Sequence, residues 1–381
     1  MNEKEVSELR RRFRQDRSNI THIRGCYVNE AKEIVSEFDQ SLGLMQQEEC
    51  EKFLALLKRT LSGTLEKNLL DISFTTQQVE DSEEHRLLMA LRNSALKDDE
   101  AVHSFFEKVS QSLSMDSHYL ILLAHDTYDV YYRSKDGDRQ DDASSEVYSY
   151  ILCSICPVKM SKPALSYFIS ENELHSLTSD RIVTPPALGF LFPAFDDRCA
   201  NLYDVLYYTK NPAETHPELI DAVFRQEAPM SAEEQKDTFR SVLCETLSED
   251  CSLDVIQGVH TQLREKIEEH KASKTPEPLT VSRREVREML ETCGVAPEHL
   301  TAFDEKYEEE FGGDTDLSPR NLIDVRQFEV RTPDVVIKVN PDRSDLIQTR
   351  IIDGVKYLLI RADGGVEVNG ANIHISNEDP Q

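Results

Sequence analysis

Residues 148–159, YSYILCSICPVK, decide how the rest of the chain is read. They form the longest strongly apolar, β-prone run in the sequence. Runs of similar character lie on both sides, at 118–132 and 201–209. Near-continuous apolar runs of this length suit strands buried on both faces. The three are therefore predicted to form the middle of a central sheet, with helices gathered before and after them in sequence. Pro157 falls near the end of its run, where loss of a ladder donor is tolerated. Extended segments are also predicted at 163–169 and 187–195, and a polar connection at 134–145 with a turn at Asp136-Gly137.

Working outward toward the N-terminus, apolar Val6, Leu9 and Phe13 fall on one face at helical spacing and predict a helix over 4–17. Arg10, Arg11, Arg12, Arg14 and Arg17 cover much of the rest of it. From Met1 to Arg24 there are seven basic and four acidic residues, net +3. The arginines either pair with acidic surface elsewhere in the fold, the preferred reading, or bind an anionic partner such as RNA, a phosphate or an acidic protein. Residues 25–38 read as a hairpin turning at Asn29-Glu30-Ala31-Lys32. A helix over about 46–61, a short strand at 68–74, and helices near 81–96 and 98–113 complete this half.

Toward the C-terminus, three helix starts carry capping-box pairs: Thr215 with Glu218, Ser231 with Glu234, and Ser282 with Glu285. Helices over about 231–248 and 254–270 are expected to pair antiparallel through Phe239, Val242, Leu243 and Leu247 against Val255, Ile256, Val259, Leu263 and Ile267. Residues 271–281, with two prolines and few apolar side chains, read as a linker. Two helices follow within 283–311, broken by Gly294 and Pro297, and 328–375 form a β module. There, Asp353-Gly354 and Asn369-Gly370 sit between β-prone runs, as two-residue hairpin turns do.

The composition narrows the function classes. The chain has 381 residues, 71 Asp plus Glu against 43 Lys plus Arg, a net charge of −28. Such a balance repels polyanions at long range and makes nucleic acid an improbable partner. The N-terminus has charges throughout and no apolar h-region. No run approaches the roughly 18 to 20 apolar residues of a membrane-spanning helix. A cytoplasmic protein that does not enter the membrane is the expectation. Eight cysteines, at 26, 50, 153, 156, 199, 244, 251 and 293, are then expected to be reduced.

Cys153 and Cys156 form a C-x-x-C pair, half a zinc site or a redox motif elsewhere. Inside a strand, residues three apart lie roughly 10 Å apart and point to opposite faces, which disfavours both uses. Cys244 and Cys251 are seven apart without His partners at metal spacing. Buried structural thiols are the preferred reading, and neither a metal nor a cofactor is expected. Asp196, Asp197 and Arg198 stand where a loop enters a strand, and His125, Asp126 and Asp129 lie on another strand that could converge with them. A structural ion pair is the commoner outcome, and a metal-assisted hydrolase using Asp126, Asp196, Asp197 and Arg198 is the sharper one. The acidic run 304–316, net −6, lacks the spacing of an EF-hand loop and reads as a solvated face. There is no phosphate-binding glycine loop, no G-x-S-x-G and no H-E-x-x-H.

The run ELRRRFRQDRSNITHIRGCYVNEAKEIVSEF, together with YILCSICPVKMSKPALSYF, FDDRCANLYDVLYYTKN and RIIDGVKYLLIRADGGVEVNG, resembles the bacterial domain-of-unknown-function family 4317 in motif order, from about residue 2 to 375. The resemblance implies a cytoplasmic bacterial protein. That family carries no established activity, so no functional residue transfers. The expected architecture is α+β: a mixed or antiparallel central sheet packed by helices, a helical segment, and a small C-terminal β module. The expected division is 1–210 for the N-terminal helices and sheet, 211–270 for a helical segment packing on it, 271–281 for the linker, and 282–381 for a helical pair and hairpin module. The expected function is that of a non-catalytic interaction or regulatory protein with a protein partner. The metal-assisted hydrolase is the alternative, and RNA or nucleoprotein binding through Arg10, Arg11, Arg12, Arg14 and Arg17 is the last.

Overall fold

The computed structural model describes residues 1–130, 146–177, 180–313, 315–362 and 364–373. The predicted connection at 134–145 lies outside the described residues. The chain divides into two compact units, Met1–Glu234 with Pro276–Pro278, and Gln235–Thr275 with Leu279–Gln381.

The first unit begins with α1 (Glu3–Arg10), β1 (His22–Val28), β2 (Ile34–Ser41), α2 (Gln47–Lys58), β3 (Leu69–Ser73), α3 (Thr76–Asp81), α4 (Glu83–Asn93) and α5 (Asp99–Ser112). The long strands β4 (Tyr119–Val130) and β5 (Glu146–Met160) follow, then β6 (Ala164–Phe168), β7 (Glu173–Leu177), β8 (Arg181–Val183), β9 (Leu188–Phe192), β10 (Ala194–Asp196), β11 (Cys199–Asn201), β12 (Asp204–Thr209) and α6 (Pro217–Phe224). The central sheet has the order β2-β1-β4-β5-β9-β12-β3, with β8 paired to the end of β5, and every pairing is antiparallel. The opening stretch lies within β5, in the middle of this sheet.

Both faces of the sheet are buried. Alternation along β5 sends Ile151, Cys153 and Ile155 to one face, packed with Leu88 of α4, Phe105 of α5 and Phe224 of α6. It sends Tyr148, Tyr150, Leu152 and Cys156 to the other, packed with Leu9 of α1 and Leu54 of α2. The two thiols of the C-x-x-C pair therefore point into different cores. Desolvation raises the Cys153 thiol far above its ordinary range and pushes Cys156 up to about 12, so neither forms a thiolate near neutral pH.

Three local expectations are corrected. The first helix stops at Arg10 rather than running to residue 17, and Arg11 is its C-cap. Beyond it the chain turns, with the Arg14 amide bonded to the Arg12 carbonyl at 2.6 Å. The turn lets Phe13 join the core beside Val6 and Leu9 while Arg12 reaches β4. Thr215 does not cap α6. His216 is the N-cap in the left-handed region, φ 55°, and Pro217 opens the helix. A residue before proline is disfavoured in the α region, and the Thr215 carbonyl accepts from the Tyr207 hydroxyl at 3.0 Å instead. Residues 163–169 do not join the central sheet; β6 pairs only with β7, as a separate hairpin.

The second unit carries most of α7 (Ala232–Leu247), then α8 (Leu253–Ser273), α9 (Arg283–Thr292), α10 (Pro297–Phe311) and α11 (Pro319–Leu322). Ser231 and Ser282 form the predicted capping boxes with Glu234 and Glu285. Phe239, Val242, Leu243 and Leu247 of α7 and Val255, Val259 and Leu263 of α8 meet in one core with Val286, Leu290, Leu300 and Phe303, with Ile256 half-buried against it; Ile267 lies outside this cluster. Three hairpins follow: β13 (Phe328–Arg331) with β14 (Val336–Val339), β15 (Ile347–Ile352) with β16 (Val355–Ile360), and β17 (Val366–Val368) with β18 (Ala371–Ile373). Both predicted two-residue turns form, with φ of 50° and 79° at Asp353 and Gly354, and 51° and 83° at Asn369 and Gly370. Positive φ at both central residues matches the twist of the flanking strands.

Candidate functional site

The carboxylate of Asp126 lies in β4 on the face shared with α1 and α2, and its side chain is 1% exposed. It accepts hydrogen bonds from the Asn19 amide at 2.9 Å, the Thr127 amide at 2.8 Å and the Tyr150 hydroxyl at 2.9 Å. Arg12 Nε stands 3.8 Å away. Burial raises the Asp126 carboxyl above its ordinary range, and Arg12 and the three donors only partly offset that.

Arg12 is equally committed. Its Nη2 donates to the Arg17 carbonyl at 2.7 Å and the Thr127 carbonyl at 3.1 Å, and its guanidinium lies 4.3 Å from the centre of the Tyr128 ring. The Tyr128 hydroxyl donates to Glu8. Glu8 in turn accepts both bonds from Arg198 Nη1, at 2.7 and 3.0 Å. Asp126, Arg12, Tyr128, Glu8 and Arg198 thus form one continuous network that ties α1 and the turn after it to β4 and to the β10–β11 hairpin. Most of its donors and acceptors pair within it, as in an ion-pair network, while Arg12 Nε is buried without a hydrogen-bond partner, 3.8 Å from the Asp126 carboxylate.

Asp197 and Arg198 are the two central residues of the β10–β11 turn, with φ of 48° and 63°. Asp197 is exposed at the tip, and Asp196 accepts from Asn201 Nδ2 at 3.4 Å. His125 and Asp129 are odd-numbered on β4 and so face away from Asp126, and His125 pairs with the Ser149 hydroxyl at 2.9 Å. Among the described residues no group of three or more His, Cys, Asp and Glu could hold a metal ion. Of the five arginines, Arg10 is bonded to the carbonyls of Leu61 and Gly63, while Arg11, Arg14 and Arg17 are exposed, Arg17 beside Asp16 at 3.7 Å.

Two surfaces went unmarked in the sequence. In the β6–β7 hairpin, alternation and register place Leu165, Tyr167 and Leu174 on one face, with Ile169 just beyond it. They are 72%, 54%, 64% and 85% exposed. In the second unit the β15–β16 hairpin exposes Ile351 and Ile360 on one face and Ile352, Val355 and Tyr357 on the other. Apolar side chains on both faces of an uncovered two-stranded ribbon are unusual, because such a ribbon is marginally stable alone. Alternation at 164–168 was the available signal, but buried and solvent-facing alternation read alike along a sequence.

No helix among the described residues is long and apolar enough to cross a membrane. No curated protein and no solved structure matches the chain. The model of the family described as "Domain of unknown function (DUF4317)" matches residues 1–371, and the chain belongs to that family.

Proposed function

We propose that this is a non-catalytic interaction protein that binds a protein partner through the apolar face and free edges of the β6–β7 hairpin. The observation that carries the reading is the uncovered cluster of Leu165, Tyr167, Ile169 and Leu174. A two-stranded ribbon leaves one backbone edge of each strand open, and an extended partner segment can add to such an edge while its side chains cover the face. Covering one Leu or Ile completely contributes roughly 1.5–3 kcal/mol, so a few such contacts outweigh the ordering of a short segment. The engagement of Asp126 with Arg12, and of Arg198 with Glu8, supports the non-catalytic part of the reading.

The test is a pull-down from native host lysate with the full chain as bait, with and without nuclease, wild type against Leu165→Asp and Leu174→Asp. Both positions are exposed, so folding is unaffected by either change. The expected result is a stoichiometric protein partner that survives nuclease and is lost with each variant. A partner set lost with nuclease would instead implicate Arg11, Arg14 and Arg17. Turnover of an ester or phosphoester panel, abolished by Asp196→Ala, would overturn the non-catalytic reading.

A further inference from the structure

The second unit contains a cleft of about 710 Å³ between α7, α8, the end of α11 and β13. Clefts of roughly 300–1,000 Å³ are the usual size of small-molecule sites. Its floor is hydrocarbon, from Phe239 and Leu243 of α7, Ile256 of α8 and Phe328 of β13. One wall is His260, whose Nε2–H donates to the Asp324 carbonyl at 3.1 Å and whose ring meets Phe328 edge-on at 5.3 Å. Burial lowers the imidazole below its ordinary range, so the ring adds no charge near neutral pH. The charged lining residues are not equally engaged. On the α11–β13 side, Asp324 accepts from the Arg326 amide at 2.9 Å, and Glu329 pairs with Arg331 at 2.7 Å and with Lys338 at 3.5 Å. On the α7 side, Arg240 pairs at 3.4 Å with Asp237, and both are exposed. Lys236 is half-buried and, among the described residues, has no carboxylate within ion-pair distance. The chain has 71 acidic residues against 43 basic ones, and yet this lysine stands beside an apolar cleft without a counter-ion.

We propose that this cleft binds a small monocarboxylate with a hydrocarbon body, the carboxylate on Lys236 and the body on the floor between Phe239 and Phe328. The floor removes the hydrocarbon from water. The head supplies the counter-ion that Lys236 lacks, at a site where neighbouring hydrocarbon makes a charge-assisted hydrogen bond stronger than in water. Arg240, one turn further along α7, adds to the positive field at the same end. A cationic head would meet Lys236 as a like charge, and a neutral ligand would leave it uncompensated. A dianion such as a phosphate monoester would be repelled by Asp324 and Glu329, which line the same cleft. A single negative charge on an apolar body is the class that satisfies all of these groups. The site lies wholly in the second unit and does not depend on the β6–β7 hairpin.

The cleft carries its own reporters. Exposed Cys244 and half-buried Cys251 line it, and exposed Cys199 lies in the other unit. The test measures the rate at which iodoacetamide alkylates each of the three in the full chain, by peptide mass spectrometry, with decanoate or decyltrimethylammonium added below its micelle concentration. Decanoate is expected to slow Cys244 and Cys251 in a saturable way and to leave Cys199 unchanged. Decyltrimethylammonium, with the same chain and the opposite charge, is expected to protect far less, although the net charge of −28 attracts it to the protein as a whole. Lys236→Met keeps an apolar stem and removes the charge, and is expected to raise the half-protecting decanoate concentration roughly tenfold, the scale of one hydrogen bond to a charged group. No protection by decanoate would overturn the proposal, as would equal slowing of Cys199. Protection by decyltrimethylammonium as strong as by decanoate, or an unchanged half-protecting concentration in Lys236→Met, would overturn the assignment of the carboxylate to Lys236. The wild-type comparison of the two probes stands even where the variant folds poorly.

Discussion

Replacing Asp126 with alanine separates a structural carboxylate from a functional one. The substitution removes the acceptor of the Tyr150 hydroxyl, which is completely buried, and the counter-ion of Arg12, whose side chain is 14% exposed. Leaving a buried hydroxyl unpaired costs about 1–3 kcal/mol. Breaking a buried ion pair costs about 3–5 kcal/mol, and here less, because Arg12 keeps two carbonyl acceptors and Nε is 3.8 Å from the carboxylate. The amides of Asn19 and Thr127 lie nearer to solvent and add little. The expected loss is therefore about 3–5 kcal/mol, a large part of the ~5–15 kcal/mol that holds a typical domain together. Urea unfolding followed by tyrosine fluorescence measures it, since the chain has no tryptophan. Hydrogen exchange of the β4 and β5 amides locates the loss in the first unit. Asp126→Asn, which keeps an acceptor for the two amides, is expected to cost only about 1–2 kcal/mol. The pH dependence has a definite sign. Burial raises the folded carboxyl above its unfolded value, so its favourable contribution is complete below the unfolded pKa and is lost as pH rises through the folded one. Wild type minus Asp126→Asn must then fall as pH rises across that window. An Asp126→Ala protein within about 0.5 kcal/mol of wild type would refute the network reading and return Asp126 to the list of functional carboxylates.

Two further substitutions probe the centre of the sheet. A Cβ on Gly189 would lie 2.3 Å from the Cys153 carbonyl oxygen and 2.5 Å from Thr60 Cγ2, so Gly189→Ala is expected to cost about 1–3 kcal/mol, read as a lower urea midpoint at unchanged m-value. Thr60 and Ser154 share a buried hydroxyl–hydroxyl bond of 2.6 Å. Ser154→Ala alone is expected to cost about 1–3 kcal/mol by stranding Thr60, and Thr60→Val with Ser154→Ala less than the sum of the singles, which a double-mutant cycle checks.

The sheet was legible where periodicity and turn chemistry are local. The run at 148–159 announces a strand buried on both faces, and β5 lies at the centre of the sheet with a core on each side. Asp353-Gly354 and Asn369-Gly370 announce their hairpins because a two-residue turn demands positive φ at both positions. The end of α1 was not legible, because nothing local stops the Arg10–Arg17 stretch. It ends where it does because Arg12 finds an acidic partner more than a hundred residues away in β4.

The sequence by itself determined the α+β class, the antiparallel or mixed sheet, most helix starts and the family. These rest on hydrophobic period, capping pairs and motif order, all written within a few residues of one another. Tertiary structure alone decided that Asp126 and Arg198 join one network through Glu8 and Tyr128, and that the β6–β7 hairpin stands off the sheet with its apolar face open. Side-chain partners across strands and turns depend on register and chain reversal, and no spacing along the chain encodes them.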